Sequence, residues 1–430
     1  MMTVGVISLG CAKNQVDTQT MLGYLKAAGY RFTAEPSEAE ILIVNTCGFI
    51  TEAKEESIDA ILEMAQYKQS GICRLLVVTG CLSERYRTEL PPELPEVDLF
   101  LGVREYEKLP KLIAEKLSLP CPSPIRPERL LVTPPHRAYL RIGDGCNNRC
   151  AYCAIPLIRG DLVSTPIERL IDEAKALADM GVTELSVIAQ DTSGYGKDLY
   201  GEPRLIPLLK ALNGIDGLRW VRLLYTYPDT VTPALLDTIA EGDKLVPYLD
   251  MPLQHCSDPL LKRMHRRGSK AHITGVLDHI RANYPDFTLR TTMMVGFPGE
   301  TDEQFEELLL FLRDYPFDRV GAFAFSPEEG TAAAEMPDQI EDSVKQARLG
   351  ALMEQQQAIS KARNERWIGR ELLMLVEETG MDGTYGRTIR EAPDADGLVC
   401  IAPSWRHEPG MYLPIRLTGA DPYDMTGESI

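Results

Sequence analysis

The chain has 430 residues, 44% of them hydrophobic, with 63 acidic against 45 basic side chains and a formal net charge of −18. That length calls for two to three domains, and the apolar fraction excludes a disordered chain. The acidic balance argues against a generic nucleic-acid binder and suits either a basic partner or simple solubility.

No apolar run reaches the roughly 18 residues of a membrane span. The opening Met1-Met2-Thr3-Val4-Gly5-Val6-Ile7 goes straight into a strand-like run, without the basic stretch and small-residue cleavage site of a signal peptide. A cytoplasmic location with no membrane partner is expected. Ten cysteines in that setting point to metal or redox chemistry rather than to disulfides.

The first segment, 1–119, carries three apolar runs that read as buried strands: Val4–Leu9, Ile41–Val44 and Leu75–Val78. Helical patterns over Thr18–Ala28 and Glu52–Ala65 lie between them, which predicts an α/β domain with a doubly wound parallel sheet. Each run ends close to a cysteine: Cys11, Cys47 and Cys81. Loops at the carboxyl ends of parallel strands converge on one crevice, so these three residues are expected to meet there. Taken singly, each would read as an ordinary buried thiol.

A proline-rich connector follows over 120–135, with Pro120, Pro122, Pro124, Pro127, Pro134 and Pro135 reading as an extended linker. The second segment, 136–361, offers six strand candidates: Ala138–Ile142, Glu184–Ala189, Leu218–Tyr225, Val246–Met251, Leu289–Val295 and Arg319–Phe325. Helices separate them, which predicts a partial (β/α)6 barrel with its chemistry at the strand C-terminal ends. Thr165, Pro166 and Glu168 read as N-cap, N1 and N3 of one helix, stopped by Gly181. Thr301 and Gln304 form a similar start for a helix running to Tyr315. The third segment, 364–430, turns to short β-like runs at Leu372–Val376, Leu398–Ile401 and Leu413–Leu417 and predicts a small all-β barrel. From Glu365 onward it carries 12 acidic and 6 basic residues.

The densest chemistry is Gly145-Cys146-Asn147-Asn148-Arg149-Cys150-Ala151-Tyr152-Cys153. Three thiolates this close can hold an iron–sulfur cluster and leave one iron open for a small molecule. Structural zinc is the alternative, but it calls for four closed ligands and no fourth lies nearby in sequence. Gln190, Asp191, Gln254 and His255 fall at strand ends, where they could line a substrate cavity or serve as structural hydrogen-bonding groups. Val295-Gly296-Phe297-Pro298-Gly299-Glu300 leads from a strand into a helix, and a plain turn would account for it. Cys73, Cys121, Cys256 and Cys400 lack motif context.

The CxxxCxxC run, with Tyr152 before its third cysteine, resembles the signature of the radical S-adenosylmethionine (SAM) enzymes. That resemblance implies SAM bound at the open iron of a 4Fe-4S cluster held by Cys146, Cys150 and Cys153. It adds Tyr152, Gly296, Pro298, Gly299 and Glu300 as SAM-binding residues. The runs Ser8–Asp17, Asn45–Phe49 and Thr79–Cys81 resemble the N-terminal domain of the methylthiotransferases, and the third segment resembles their TRAM domain. A second, auxiliary 4Fe-4S cluster on Cys11, Cys47 and Cys81 is implied. Within that family, Met251–His255, Gln190–Gly196 and Phe325–Thr331 are similar to the branch that modifies an aspartate β-carbon of ribosomal protein S-12. The other main branch modifies a tRNA adenosine, which so acidic a chain should repel. The implied reaction methylates a sulfur on the auxiliary cluster, then adds the methylthio group to a carbon radical made by a second SAM. It needs a reducing electron donor. An iron–sulfur scaffold without enzyme activity is the third reading, and the acidic third segment is a candidate grip for a basic substrate.

Overall fold

The computed structural model describes residues 2–120 and 128–430. Of the proline-rich connector, residues 121–127 lie outside the described residues, Cys121 among them. No helix among the described residues is long and apolar enough to cross a membrane.

The N-terminal region is a five-stranded parallel sheet in the spatial order Arg31–Thr33, Thr3–Ser8, Ile41–Thr46, Leu75–Gly80, Leu99–Phe100. Ile41–Thr46 and Leu75–Gly80 are buried along their whole length, because helices cover both faces. One face packs Met21, Leu25, Leu109 and Ile113; the other packs Ile61, Met64 and Leu90. Each such side chain contributes about 1.5–3 kcal/mol on burial. The strand order reverses between Thr3–Ser8 and Ile41–Thr46, so a crevice opens at their carboxyl ends. The helix before it begins at Ala12, earlier than apolar periodicity predicted, and runs to Ala27. Its first turns carry Lys13, Asn14 and Asp17, which are polar yet buried.

The central region has six parallel strands, Arg137–Arg141, Glu184–Ile188, Trp220–Leu223, Tyr248–Asp250, Thr288–Val295 and Arg319–Ala324, in two sheets of three. A bridge between Val221 and Leu245 joins the two sheets. Ala138, Leu140, Val187, Val221, Leu249 and Leu289 face the surrounding helices and form the largest core. Strand alternation turns Arg137, Glu184, Arg222, Arg290 and Arg319 to the other side, into the barrel. Thr301 and Gln304 form the expected capping box on Asp302–Asp314. The expected Thr165 cap does not form. Pro166 occupies the cap position of Ile167–Asp179, and the Tyr200 hydroxyl accepts from the Ile167 N–H at 3.0 Å instead.

The helix Asp342–Glu365 leads into a closed five-stranded barrel of Glu371–Thr379, Thr384–Arg387, Val399–Ile401, Tyr412–Ala420 and Met425–Ser429. This small barrel plugs the N-terminal mouth of the larger one. Asp394 accepts from Arg137 and from the Tyr139 hydroxyl at 2.9 and 2.6 Å. Asp396 accepts from the Tyr248 hydroxyl at 2.6 Å, and Glu391 from Arg319 at 3.1 Å. Arg387 reaches back to Glu184, which also pairs with Arg222. Several acids of the third segment therefore neutralise barrel arginines.

Glu377 belongs to the same contact. Burial opposes its charge, but a hydrogen bond from His136 and the guanidiniums of Arg387 and Arg137 outweigh that and hold its pKa at about 2, against an ordinary 4.5. A folded value below the unfolded one stabilises fully above pH 4.5 and is lost as the pH falls toward 2. The acid limb of unfolding, followed by tryptophan fluorescence, is expected to flatten over that window in Glu377→Gln. An unchanged limb would show that this carboxylate contributes nothing.

Candidate active site

The three N-terminal cysteines do meet in the crevice. Cys11 is the N-cap of Ala12–Ala27, Cys47 follows Ile41–Thr46 at once, and Cys81 opens the short helix Cys81–Arg85. Gly10 has φ +88°, and a Cβ there would sit 2.9 Å from Cys47 Cβ, so only glycine lets these two loops close up. Asn14 ties the three strand ends together. Its Nδ2 donates to the carbonyls of Leu9 (3.1 Å) and Thr46 (2.7 Å), and its Oδ1 lies 3.4 Å from Cys81 Sγ. Burial pushes the Cys81 thiol up to about 12, with the neighbouring Cys11 and Cys47 adding to the rise and Arg159 opposing it.

Gly80 sets the position of Cys81. Its φ is +100°, and an added Cβ would stand 2.4 Å from the Thr46 carbonyl oxygen. Gly80→Ala is expected to cost about 1–3 kcal/mol and to lower whatever iron uptake depends on Cys81. Thermal unfolding and iron analysis of the reconstituted protein check both. Parent-like values for the two together would show that the turn tolerates a side chain.

Cys146, Cys150 and Cys153 lie on the loop between Gly143–Asp144 and Ile155–Ile158, beyond the C-terminal end of the first barrel strand. Burial raises the Cys153 thiol to about 12, and the other two cysteines add to the rise. Backbone bonds fix the loop: Cys146 N–H to Gly160 O at 3.1 Å and Ala151 N–H to Met264 O at 3.0 Å. Arg266 Nη1 lies 3.8 Å from Cys150 Sγ and 3.1 Å from the Tyr152 hydroxyl. Sequence reading missed Arg266, since an arginine after a short helix carries no motif of its own.

Among the described residues, no three His, Cys, Asp or Glu side chains converge at the spacing of ligands to a single ion. The cysteine trios are more open, yet near enough that thiol raises thiol across the gap. Soft donors in threes, each trio enclosed by one crevice or loop, fit an iron–sulfur cluster with an open iron. Loading such a cluster would release protons, since thiols ligate as thiolates.

Asp191, Gln190, His255 and Glu300 have structural partners; the Gln254 amide oxygen has none. Asp191 accepts from Asn148 Nδ2 at 2.7 Å and caps its own turn, so it braces the cysteine loop. Gln190 Nε2 donates to Asp144 at 3.1 Å, while its Oε1 is buried without a partner. Gln254 has φ +72° and likewise a buried, unpartnered Oε1. His255 is fully buried, with Nε2 3.2 Å from Glu300 and Nδ1 accepting from Ser257 N–H. Glu300 also pairs with Arg348 and accepts from the Gly296 N–H, so its carboxylate is turned toward its own turn. Gly296 and Gly299 both have positive φ in that turn, with Pro298 between them. A cavity of about 500 Å³ opens between the two regions, lined by Phe49, Thr51, Tyr152, Met294, Phe325 and Glu328 among others. Of the expected SAM-binding residues, Tyr152 alone lines it. Glu328 pins the regions together beside it, pairing with Lys54 and Arg85 at 2.9 Å each.

Residues 3–102 match the uncharacterized protein family UPF0004, residues 140–312 the radical SAM superfamily and residues 368–430 the TRAM domain. The ribosomal protein uS12 methylthiotransferase RimO of Geotalea uraniireducens is 46% identical, over 99% of this chain and 98% of its own length. The RimO of Geobacter sulfurreducens is 47% identical over the same shares. The chain belongs to the RimO family. Radical SAM membership brings SAM and a 4Fe-4S cluster as cofactors of this RimO-family chain. Its fold is similar to that of the radical SAM methyltransferase TsrM from Kitasatospora setae, with a TM-score of 0.56 at 12% identity over 95% of this chain and 82% of that one.

Proposed function

We propose that this protein inserts a methylthio group at the β-carbon of an aspartate of ribosomal protein S-12. The observation that carries the reading is the pairing of two cysteine trios, one beyond the switch point of the N-terminal sheet and one at the C-terminal mouth of the barrel. Full-length similarity to RimO proteins supports the substrate.

In this reading Cys146, Cys150 and Cys153 hold the radical SAM cluster, and Cys11, Cys47 and Cys81 hold a second 4Fe-4S cluster. When bound, the two clusters and SAM supply an electron, a hydrogen-abstracting radical, and the sulfur and methyl that are transferred. The chain's own part is to fix the two loops in one relation and to keep water from a reactive centre. Asp191 and Arg267 hold the cysteine loop through Asn148. Gln190 and Gln254, each with a buried unpartnered oxygen, are the polar groups assigned to bound reactants, and His255, next to Gln254, is held by Glu300. The domain limits 1–119, 136–361 and 364–430, a cytoplasmic location and a reducing electron donor belong to the same proposal. Cytoplasmic thiols stay reduced, as cluster ligation needs.

The test offers ribosomal protein S-12 and bulk tRNA in parallel to the anaerobically reconstituted protein with SAM and a reductant, and reads products by mass spectrometry. A methylthio increment on an S-12 aspartate is expected. An increment on a tRNA adenosine would overturn the substrate, and SAM cleavage without either product would leave only the radical chemistry.

A further inference from the structure

Arg159 sits on the short segment that follows the radical SAM cysteine loop, yet its side chain points into the N-terminal domain. Ala154 and Ile158, on the same segment, pack in that domain's core beside Cys81. The guanidinium is 1% exposed. Its Nη2 lies 3.5 Å from Cys81 Sγ, 2.8 Å from Asn14 Oδ1 and 2.7 Å from Asp17 Oδ2. Its Nη1 donates to Asp144 Oδ1 at 3.0 Å, two residues before Cys146. Arg141, at the end of the first barrel strand, pairs with Asp17 from the other side. The Arg159 carbonyl accepts from Arg104, and the next carbonyl, of Gly160, accepts from Cys146 N–H at 3.1 Å. Nη2 spends its two hydrogens on Asn14 and Asp17, so one segment sets a positive charge beside a sulfur of one trio and holds the backbone of the other trio by its main chain.

Ion pairing and the Asn14 bond account for the hydrogens of Nη2, and its charge still lies 3.5 Å from the Cys81 sulfur. Asp17 and Asp144 are balanced by Arg141 and Arg159, and a thiolate at Cys81 adds a negative charge that faces this guanidinium. Hydrogen bonds to cluster sulfurs and nearby charge set a cluster's reduction potential. We propose that Arg159 is a positioning residue for the auxiliary cluster, setting its reduction potential through the Cys81 sulfur while fixing its loop against the radical SAM loop. The inference rests on the assignment of Cys81 as a cluster ligand.

The measurement is a potentiometric EPR titration of the full-length, iron-loaded protein, with a Cys150→Ala background used to isolate the auxiliary signal. Arg159→Met removes the positive charge and is expected to lower the midpoint by a tenfold change in the redox equilibrium, 59 mV for one electron. Arg159→Lys keeps the charge and is expected to lie closer to the parent. Asp17→Asn leaves Arg159 in place with one counter-charge fewer and is expected to shift the midpoint upward. A merely structural arginine would not produce shifts of opposite sign. A parent-like midpoint in iron-replete Arg159→Met overturns the proposal. If that variant does not load iron, an unchanged or lowered midpoint in Asp17→Asn overturns it, as does failure of Arg159→Lys to load. If the parent holds one cluster that Cys81→Ala leaves intact, the ligand assignment itself has failed; two clusters with unmoved potentials defeat this inference alone.

Discussion

Cys150→Ala is expected to bring cleavage of SAM to 5′-deoxyadenosine down to the no-enzyme level in the reduced, reconstituted protein. Cys150 is one of three donors on its loop, and the cation nearest its sulfur, Arg266 at 3.8 Å, has no lone pair to offer in its place. The fall should exceed the ~10–100-fold that loss of an outer-shell partner costs a metal site. Cys47→Ala should behave differently. It removes a donor from the other trio, so SAM cleavage continues while no methylthio product forms. Product analysis of both variants separates the two roles. Methylthiolation retained in both would sink the cluster assignments, and equal loss of cleavage in both would mean that the trios serve one centre.

The second large effect concerns the buried charges that join the small barrel to the large one. Arg387→Met should destabilise the protein by about 3–5 kcal/mol, because it strands Glu184 in a dry site. Glu184 is fully buried, with Arg222 at 3.1 Å and Arg387 at 2.5 Å as its two cations. Burial opposes the charge on Glu184, and these guanidiniums, Arg387 foremost, overcome it and lower its pKa. Arg387→Lys should recover only part of the loss, since one ammonium nitrogen cannot replace a guanidinium that reaches Glu377 through Nε and Nη2 and Glu184 through Nη1 and Nη2. Denaturant unfolding of the iron-free chain measures this without interference from cofactor loss. A midpoint equal to the parent's would show that Arg222 alone satisfies Glu184.

Much of this was legible in the sequence because buried parallel strands write continuous apolar runs. Ile41–Val44 and Leu75–Val78 announced the sheet, and the cysteines just beyond them announced the crevice. What escaped was polar matter buried by tertiary contacts. The turns of helix at Lys13, Asn14 and Asp17 precede the apolar pattern that began at Thr18, yet Asn14 and Asp17 face a strand end and Arg159, and Lys13 stands over the Tyr225 ring. The edge strands Arg31–Thr33 and Leu99–Phe100 are too short to show a pattern, and Thr384–Arg387 and Met425–Ser429 are largely polar. The Thr165 cap failed because a distant tyrosine took its place. Net charge also misled in one respect: Glu377, Glu391 and Asp396 count as surface acidity in a composition, but they answer arginines inside the fold, while Asp394 pairs with Arg137 at the exposed rim.

That last arrangement bears on biosynthesis. The central barrel's strands are all made before residue 325, but the carboxylates that quiet its arginine-lined interior arrive with residues 377–396. A nascent chain that has emerged only through the sixth strand carries guanidiniums at Arg137 and Arg319 without the acids that later face them. Its central region must wait, hydrated and open at one end, until the last stretch leaves the exit tunnel. Chains cut short by a late stop codon should therefore betray themselves by an unfinished barrel rather than by a missing appendage.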